Sequence, residues 1–328
     1  MEVSVVIPTF NREKDLESTL RQILGQTISP KEVIVVDDSD TDNSEKLIQK
    51  LKPFFLEKCI DLIYLRNTKE RSSAAARNLG ADHAKAEILL FMDDDVILNE
   101  TYFKKMLEIY DNEEVIGVQG YVIEDNLIRF RSSAIAKMIN SLQRLFYLHH
   151  YERNRCRVLQ SGETTYPHYL DNIQNCQWLS GTNQSLRKDV FLQFKFDEKL
   201  KKYSLGEDMD LSYRVWKVFP RSLFITPSAV LYHKISRKSR LEDKAKIQMR
   251  MAYSTYLFYK NIENTTFNQL IFFWSKLGGL IFGLGGAMIS MKNQKDLGLR
   301  KIDNIIHSYI FTMQHLKEIK EGKFGFCI

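Results

Sequence analysis

Three consecutive acidic residues, Asp93, Asp94 and Asp95, follow an unbroken apolar run over positions 88–92. Such a run predicts a short strand that is buried on both faces of a parallel sheet. Because side chains alternate along an extended chain, we expect Asp93 and Asp95 on one side and Asp94 on the other. Two carboxylates that converge in this way repel each other, and a hard divalent cation such as Mg²⁺ or Mn²⁺ relieves the repulsion. The alternative is a solvated turn whose acids cap a helix predicted over 100–110.

The first part of the chain alternates between apolar strand patterns and amphipathic helix patterns. Predicted strands begin near residues 3, 31, 60 and 88, and a helical pattern follows each of the first three. Asn11 is the predicted N-cap of the first helix. The near-constant period predicts an α/β fold with right-handed crossovers and a mostly parallel, Rossmann-like sheet flanked by helices. Ligands bind such sheets at the carboxyl ends of the strands, where this sequence has the polar segments 8–12, 37–40, 66–77 and 93–95.

Two phosphate-binding motifs are missing from the sequence. No Gly-x-Gly-x-x-Gly follows the first predicted strand, and no Gly-x-x-x-x-Gly-Lys-Ser/Thr occurs anywhere. Their absence argues against a dinucleotide-dependent dehydrogenase and a P-loop enzyme. Asp38 is then a candidate for hydrogen bonds to a base or ribose, and Arg77 for contact with a pyrophosphate or with the acids. The competing interpretations are a helix cap for Asp38 and a surface ion pair for Arg77.

Three later segments contain further candidates for chemistry. Gly181 stands between small polar residues, a pattern typical of close backbone approach to a ligand or of an ordinary turn. Glu207, Asp208 and Asp210 occupy the first turn of a predicted helix. The helix dipole stabilises acids there, and one free carboxylate can act as a general base. His233 ends a short predicted strand, and a lone histidine in this position is either structural or a ligand.

Length, charge and cysteine usage limit the class of protein. A chain of 328 residues predicts either one large domain with an appendage or two domains. The net charge of +6 gathers in basic stretches over 195–202 and 234–250, which favours a phosphate-bearing substrate or an anionic membrane over nucleic acid. Four cysteines without Cys-x-x-Cys spacing indicate neither a zinc site nor a disulfide framework. The sequence enters a strand at once, without a signal-like segment, so we expect a cytosolic location.

Residues 234–328 show a helical pattern with one long apolar stretch. The stretch 270–291 has membrane-spanning length, is interrupted by Lys276 and is flanked by basic residues on both sides, so it predicts no clear crossing. Its five glycines permit close helix packing or a re-entrant bend. We expect a helical region that attaches to a membrane in a monotopic or re-entrant manner, with 234–250 binding anionic lipid. The alternative is a buried helical hairpin in a soluble oligomer.

Six segments, in this order, resemble motifs of glycosyltransferase family 2, the inverting nucleotide-sugar enzymes with the GT-A fold. They are Val5-Val6-Ile7-Pro8-Thr9-Phe10-Asn11-Arg12, Val36-Asp37-Asp38-Ser39, Ala76-Arg77-Asn78, Asp93-Asp94-Asp95, Gly181-Thr182-Asn183 and Gly206-Glu207-Asp208-Met209-Asp210. The resemblance implies a GT-A catalytic domain over 1–233, with a nucleotide-sugar half over about 1–112 and an acceptor half over about 113–233. The helical, membrane-associated region 234–328 follows it.

The resemblance also implies a role for each candidate residue. Asp95, Asp93 and His233 hold a Mg²⁺ or Mn²⁺ ion in this interpretation. Asp208 is the expected catalytic base, with Glu207 and Asp210 as second choices. The implied nucleotide-sugar contacts are Pro8, Thr9, Asn11, Arg12, Asp38, Arg77, Asp93, Asp94, Gly181 and Asn183.

The function expected from the resemblance is transfer of a sugar, with inversion, from a nucleotide-diphosphate sugar to an acceptor hydroxyl. We expect a UDP-sugar donor and a lipid-linked glycan or polysaccharide precursor as acceptor, at the cytoplasmic face of a membrane. Two alternatives stay open. A nucleotidyltransferase-like enzyme uses a related sheet and metal-binding acids, but usually has a glycine-rich, basic N-terminal loop that this sequence lacks. The second alternative is a non-catalytic membrane-associated protein that binds sugar nucleotides.

Overall fold

The computed structural model describes residues 1–234 and 243–325. The chain forms two compact units. The first comprises Met1–Ser132, Arg153–Cys156 and Pro167–Ser239, and the second comprises Ser133–Glu152, Arg157–Tyr166 and Arg240–Ile328. This division differs from a simple boundary at residue 233, because two segments of the predicted acceptor half belong to the helical unit. The basic positions 237, 238 and 240 of the predicted lipid-binding stretch lie outside the described residues.

The strands are short and mostly buried. In chain order they are β1 Val3–Thr9, β2 Glu32–Asp37, β3 Asp61–Arg66, β4 Ile88–Phe91, β5 Val96–Leu98, β6 Gly117–Ile123, β7 His150–Arg153, β8 Thr165–Tyr169, β9 Gln174–Asn175, β10 Gln184–Arg187 and β11 Leu223–His233. Within the described residues, β7 and β8 pair separately, and the other nine strands form one sheet in the first unit. The sheet order is β3-β2-β1-β4-β10-β6-β11-β5, with β9 beside β11.

Strands β1 to β4 are parallel neighbours, which confirms the predicted α/β fold with a mostly parallel sheet. Every residue of β2 and β4 is buried, as expected for strands that are covered on both faces. Strand β10 runs antiparallel between β4 and β6, and β11 is parallel to β6. The carboxyl ends of β1, β2, β3, β4, β6 and β11 therefore lie at the same edge of the sheet.

The helices cover the sheet in the first unit and form the second unit. In chain order they are α1 Glu13–Leu24, α2 Asn43–Glu57, α3 Ser73–His83, α4 Tyr102–Leu107, α5 Asp125–Ser132, α6 Ala134–Leu145, α7 Lys188–Phe194, α8 Glu207–Val218, α9 Asp243–Asn261, α10 Thr266–Asn293, α11 Lys295–Gln314 and α12 Leu316–Lys320. Helix α3 packs closely on the sheet, because a Cβ atom at Gly80 would overlap the side chain of Val6. This close packing brings Arg77, one turn earlier, to the edge of the sheet.

The start of helix α1 differs from the prediction. The helix begins at Glu13, and Arg12 rather than Asn11 is its N-cap. Asn11 has a φ of 53°, a left-handed conformation that asparagine tolerates, and its N–H donates to Ser39 Oγ at 2.7 Å. The chain therefore turns at Asn11 before it enters the helix. The helix predicted over 100–110 is also divided, between α4 and a 3₁₀ turn over Glu108–Asp111.

Helix α10 is the longest helix of the second unit and packs against α11. It is continuous over its 28 residues, so the re-entrant bend considered from the sequence is absent from this described segment. Three of its five glycines, Gly278, Gly279 and Gly283, lie against other side chains, whereas Gly285 and Gly286 adjoin open space. A Cβ atom at Gly278 would overlap Phe146, and one at Gly283 would lie 3.2 Å from Ile305 Cδ1 of α11. Among the described residues, α10 alone is long and apolar enough to cross a membrane, judged by length and composition.

Candidate active site

The three predicted metal ligands meet at the carboxyl edge of the sheet. Strand β5 begins directly after Asp95 and pairs antiparallel with β11, which places His233 opposite Val96. His233 Nε2 consequently lies 3.1 Å from Asp95 Oδ1 and 3.8 Å from Asp93 Oδ2. One ligand atom from each of the three residues lies within 4.8 Å of the others. We call Asp93, Asp95 and His233 the Asp-Asp-His cluster.

The chemistry of the Asp-Asp-His cluster fits a divalent cation. Carboxylate oxygens and an imidazole nitrogen are suitable ligands for Mg²⁺ or Mn²⁺. Burial alone would lower the pKa of His233, but hydrogen bonds to Asp95 and Glu124 raise it to about 10. The protonated imidazole then places one positive charge among three carboxylates. A bound divalent cation would likewise offset the negative charge of these carboxylates.

Glu124, which the sequence reasoning did not single out, holds His233 from the other side. Strand β6 ends at Ile123, which lies opposite Tyr232 of β11, so the next residue of each strand is Glu124 and His233. His233 Nδ1 and Glu124 Oε1 form a hydrogen bond of 2.8 Å. This bond orients the ring and leaves Nε2 directed at Asp95. A signal was available in the sequence, since Glu124 directly follows the apolar, strand-like segment 115–123.

Arg77 connects the Asp-Asp-His cluster to helix α8. Its side chain is 4% exposed, so the interpretation as a surface ion pair is wrong. Arg77 Nη2 donates to Asp93 Oδ1 at 3.0 Å and to the Gly181 carbonyl at 3.2 Å. Arg77 Nη1 donates to Glu207. One planar guanidinium therefore holds three separate chain segments together, a task suited to the fixed donor geometry of arginine.

Asp208, the predicted base, lies beside Gly181. The backbone N–H groups of Gly181 and Met209 both donate to its carboxylate, each at 2.8 Å. A Cβ atom at Gly181 would lie 3.2 Å from Asp208 Cβ and 3.5 Å from Arg77 Nη2. Gly206, with a φ of 90°, supplies the left-handed turn from which helix α8 begins. The structure therefore brings Asp208 and the acids after β4 to one site.

The other two acids of helix α8 are engaged elsewhere. Glu207 is buried and pairs with Arg77; burial raises its pKa, and the guanidinium opposes that shift. Asp210 has no exposed surface and pairs with Arg214 at 3.0 Å. Arg214 also donates to the Phe194 and Lys195 carbonyls at the end of α7. Of the three acids only Asp208 is partly exposed, so the geometry favours it over both second choices.

Asp94, predicted to contact the donor, is buried and bonded to the segment that follows β1. Thr9 Oγ1 donates to Asp94 at 2.7 Å, and Arg12 Nη1 donates to it at 3.2 Å. Burial raises the pKa of Asp94 to about 7, although Arg12 and Thr9 oppose the shift. Asp94 and Thr9 are both nearly inaccessible. They fix the turn from Pro8 to Arg12, and the predicted alternation is confirmed because Asp93 and Asp95 face His233 instead.

Asp38 lies with Asn67 and Arg71 at the carboxyl ends of β2 and β3. It does not cap helix α2, whose N-cap is Asp42; its Oδ1 accepts a hydrogen bond from Asn67 Nδ2 at 2.6 Å. Burial raises the pKa of Asp38, while Asn67 and Arg71 oppose the shift. The Arg71 guanidinium lies 3.4 Å from the centroid of the Phe10 ring. The sequence indicated the polar segment 66–77 but did not distinguish Asn67 or Arg71 within it.

Asn183, predicted to contact the donor, lies in the core. Its side chain has no exposed surface. Nδ2 donates to Tyr102 Oη at 2.9 Å and to the Gly120 carbonyl at 3.1 Å. An amide enclosed in this way holds α4 against β6. Gly181, two residues earlier, instead lies next to Asp208.

The model of a protein family described as Glycosyl transferase family 2 matches residues 4–168, half of the chain. The matched segment includes Asp38, Arg77 and the acids after β4. The chain belongs to glycosyltransferase family 2. This family 2 glycosyltransferase carries two further site residues, Asp208 and His233, beyond the matched segment.

Individual relatives of this glycosyltransferase are of moderate similarity. The chain is 27% identical to the chondroitin synthase of Escherichia coli over 227 residues, which are 66% of this chain and 32% of that protein. It is 27% identical to the putative teichuronic acid biosynthesis glycosyltransferase TuaG of Bacillus subtilis over 228 residues, 68% of this chain and 86% of TuaG. A shorter match, 33% identical over 96 residues and 29% of each chain, is to the GalNAc(5)-diNAcBac-PP-undecaprenol beta-1,3-glucosyltransferase of Campylobacter jejuni. The chain thus spans about a third of the length of the chondroitin synthase.

Solved structures of glycosyltransferases share the fold. The mannosyltransferase PcManGT from Pyrobaculum calidifontis, in complex with GDP-Man and Mn²⁺, matches with a TM-score of 0.57 and 15% identity, over 95% of this chain and 87% of that chain. GalNAc-T7 with UDP, GalNAc and Mn²⁺ matches with a TM-score of 0.56 and 14% identity, over 85% of this chain and 54% of that chain. At these identities the likeness shows the fold alone, and it confirms the predicted GT-A type.

Proposed function

We propose that this family 2 glycosyltransferase is inverting and metal-dependent, and that it moves a sugar from a nucleotide-diphosphate sugar to an acceptor hydroxyl. The connection from Asp93 through Arg77 and Gly181 to Asp208 supports this proposal most strongly. It joins a cluster suited to a cation with a carboxylate suited to act as a base. These are the two groups that such a transfer requires.

Asp93, Asp95 and His233 are the residues that we propose hold the cation. When bound there, Mg²⁺ or Mn²⁺ supplies positive charge to the diphosphate leaving group. Glu124 keeps the imidazole in the required orientation. Both solved structures described above contain Mn²⁺, which makes Mn²⁺ the first ion to test.

Asp208 is the proposed base. Inversion requires the acceptor hydroxyl to approach the anomeric carbon from the face opposite the leaving group, with a proton acceptor within hydrogen-bond reach. Two backbone N–H groups fix the direction of the Asp208 carboxylate, and its partial exposure leaves it accessible. The carboxylate takes the hydroxyl proton as the new carbon–oxygen bond forms and the nucleoside diphosphate departs.

Arg77 is the proposed positioning residue between the two groups. It holds Asp93 directly and Asp208 through Gly181, and it neutralises the buried Glu207. A buried guanidinium next to the Asp-Asp-His cluster also adds positive potential where the diphosphate is proposed to bind. Arg77 therefore acts on catalysis through the placement of other groups.

The proposed donor is a UDP-sugar. Asp38, Asn67 and Arg71 present a carboxylate, an amide and a guanidinium at the edge where a nucleoside would bind, beside the Phe10 ring. The segment from Pro8 to Arg12, with Asn11, follows at the same edge. One of the similar structures contains UDP and the other contains GDP-Man, so the choice of base is part of the test below.

The proposed acceptor is a lipid-linked glycan or polysaccharide precursor at the cytoplasmic face of a membrane. The names of two relatives refer to teichuronic acid biosynthesis and to an undecaprenol-linked glycan. The apolar helix α10 supports membrane contact. In this proposal residues 1–233 carry out the transfer, and residues 234–328 attach the enzyme to the membrane.

The two alternatives have weaker support. A nucleotidyltransferase has no need of the acidic start of helix α8, whereas here it is tied to the Asp-Asp-His cluster through Arg77. A non-catalytic sugar-nucleotide-binding protein has no need of an accessible carboxylate beside that cluster. Asp208 is such a carboxylate.

The test is hydrolysis or transfer of a panel of UDP- and GDP-sugars with Mn²⁺ by wild type, Asp208→Asn and Asp95→Ala. Asp111→Asn, at an exposed acid, is the control. We expect kcat of Asp208→Asn to fall by at least about 100-fold, with an unchanged thermal shift on addition of UDP and Mn²⁺. Asp95→Ala is expected to lose both the activity and the thermal shift on addition of UDP and Mn²⁺. Full activity of Asp208→Asn overturns the proposal, as does a wild type that no nucleoside diphosphate with Mn²⁺ stabilises.

A further inference from the structure

Helix α6 of the second unit has an apolar face that is exposed in the described part of the chain. No residue of this helix is buried in the structure. Its large apolar side chains are spaced by three or four residues and so share one face. They are Ile135, Met138, Ile139, Leu142 and Leu145, all exposed and up to 67% so. A contiguous apolar face of this kind marks an interaction surface.

Helix α10 of the same unit has a second exposed apolar face. Its members again recur at helical spacing: Phe267, Leu270, Trp274, Leu277, Ile281 and Met288. The opposite side of α10 is buried within the unit through Ile271, Phe272, Ser275 and Ala287. One side of α10 is therefore packed against protein, and the other side is apolar and open.

The two exposed faces adjoin at the end of α6. Trp274 Nε1 donates to the Leu145 carbonyl at 3.0 Å, although both side chains are partly open to solvent. Phe146 stacks on Trp274 with a centroid separation of 4.8 Å, and Gly278 provides the space for its ring. Leu145 and Trp274 thus connect the exposed faces of α6 and α10 into one surface, which we call the α6–α10 face.

The charged side chains of these two helices are all basic. Neither α6 nor α10 contains an aspartate or glutamate in its sequence. Lys137 and Arg144 are exposed on α6, and Lys292 is exposed at the end of α10. Apolar side chains accompanied by basic residues and no acid are typical of helices that bind anionic lipid surfaces.

We propose that the α6–α10 face docks onto the surface of an anionic bilayer with both helices in the plane of the interface. This inference deepens the membrane attachment in the proposed function and identifies α6 as part of it. A crossing by α10 is disfavoured, because α10 packs along α11, whose Lys295, Asp296, Arg300, Lys301 and Asp303 are costly to place in hydrocarbon. Lys276 also donates to Ser254 within the unit at 2.7 Å. A second copy of the chain is a poorer occupant, since it would bring basic residues of like sign together.

Co-sedimentation with preformed vesicles tests this proposal on the full chain. The vesicles contain either phosphatidylcholine alone or equal parts of phosphatidylcholine and phosphatidylglycerol. We expect wild type to bind the anionic vesicles more strongly, and Leu142→Glu combined with Leu270→Glu to bind them at least about tenfold more weakly. Ser141→Glu combined with Thr266→Glu adds the same two charges at exposed polar positions of α6 and α10 and is expected to reduce binding much less.

Undiminished binding by the Leu142→Glu/Leu270→Glu variant overturns the proposal. The proposal is also overturned if wild type does not bind vesicles but forms dimers, and if this double variant is monomeric. The α6–α10 face would then be a surface for self-association. Quenching of Trp274 fluorescence by brominated lipids reports how deeply Trp274 lies in the bilayer. The contribution of Trp274 is the difference between wild type and Trp274→Phe. We expect stronger quenching by lipids brominated near the headgroup than by lipids brominated at the chain ends, and the reverse order overturns the in-plane placement.

Hydrolysis of a water-soluble nucleotide sugar separates this inference from the proposed transferase activity. The Leu142→Glu/Leu270→Glu variant is expected to retain wild-type hydrolysis, because neither residue belongs to the candidate active site, and this also shows that the variant is folded. A wild type that binds anionic vesicles but hydrolyses no nucleotide sugar overturns the proposed function alone.

Discussion

His233 Nδ1 and Glu124 Oε1 form a hydrogen bond of 2.8 Å between the ends of two parallel strands. The other ring nitrogen of His233 lies 3.1 Å from Asp95 Oδ1. The imidazole is therefore held between the Glu124 carboxylate and the Asp95 carboxylate. Support of this kind usually strengthens a metal site, because it removes rotational freedom from the ligand.

Replacement of Glu124 is expected to weaken cation binding. Glu124→Ala removes the support of His233 and should reduce the affinity for Mn²⁺ by about 10-fold or more, measured by calorimetric titration. Glu124→Gln retains an acceptor oxygen and should recover much of the loss. Glu114→Ala, at an exposed acid, is the control. Equal Mn²⁺ affinity in wild type and Glu124→Ala would show that Glu124 does not support the site.

A methyl group at Gly181 is expected to disturb the base. The added Cβ would lie 3.2 Å from Asp208 Cβ and 3.3 Å from Asp208 Oδ2, tighter than ordinary contact. We expect kcat of Gly181→Ala to fall by about 10-fold or more because Asp208 is displaced, with little change in UDP and Mn²⁺ binding. Gly25→Ala is a matched control, since its nearest atoms lie at 3.6 Å or beyond. An unchanged kcat in Gly181→Ala would contradict the prediction that proton transfer depends on the position of Asp208.

Loss of the Arg77 charge is expected to destabilise the fold. Arg77→Met leaves the buried Glu207 carboxylate without its guanidinium, and removing one partner of such a pair costs about 3–5 kcal/mol. The double variant Arg77→Met/Glu207→Met should be more stable than Arg77→Met, because the uncompensated charge is gone. Urea unfolding of wild type, both variants and Glu207→Met gives the free energies of unfolding for a double-mutant cycle. Additive effects in the cycle would contradict the proposed coupling.

The stability of the protein is expected to depend on the protonation of Lys276. Burial lowers its pKa to about 8, from an ordinary value of 10.5, although Glu163 opposes the shift. Between these pH values the unfolded chain binds more protons than the folded chain, so the free energy of unfolding should increase as pH rises through this window. Lys276→Met should lose this increase, and Lys295→Met, at an exposed lysine, should retain it. Urea unfolding at about pH 8 and about pH 10 measures the difference; the same increase in Lys276→Met would contradict the assignment.

Local sequence patterns are enough to predict the first strands and helices and most of the polar edge of the sheet. Strands β1 to β4 and the helices between them follow from local patterns, because a strand covered on both faces is apolar throughout and an amphipathic helix repeats every 3.6 residues. Parallel strands place their carboxyl ends at one edge, so Asp93, Asp95 and Arg77 were expected to be close together before any coordinates were considered.

Which polar side chains face that edge depends on contacts between distant segments. Asn183 and Asp210 belong to the same motifs as Gly181 and Asp208, yet neither has exposed surface. Asn183 Nδ2 donates to Tyr102, 81 positions away, and Asp210 pairs with Arg214 on the next turn of α8. Glu124 meets His233 across 109 positions through the pairing of β6 with β11. Local propensity sets where a strand or helix lies, but the direction and partners of its side chains depend on packing between segments that are remote in sequence.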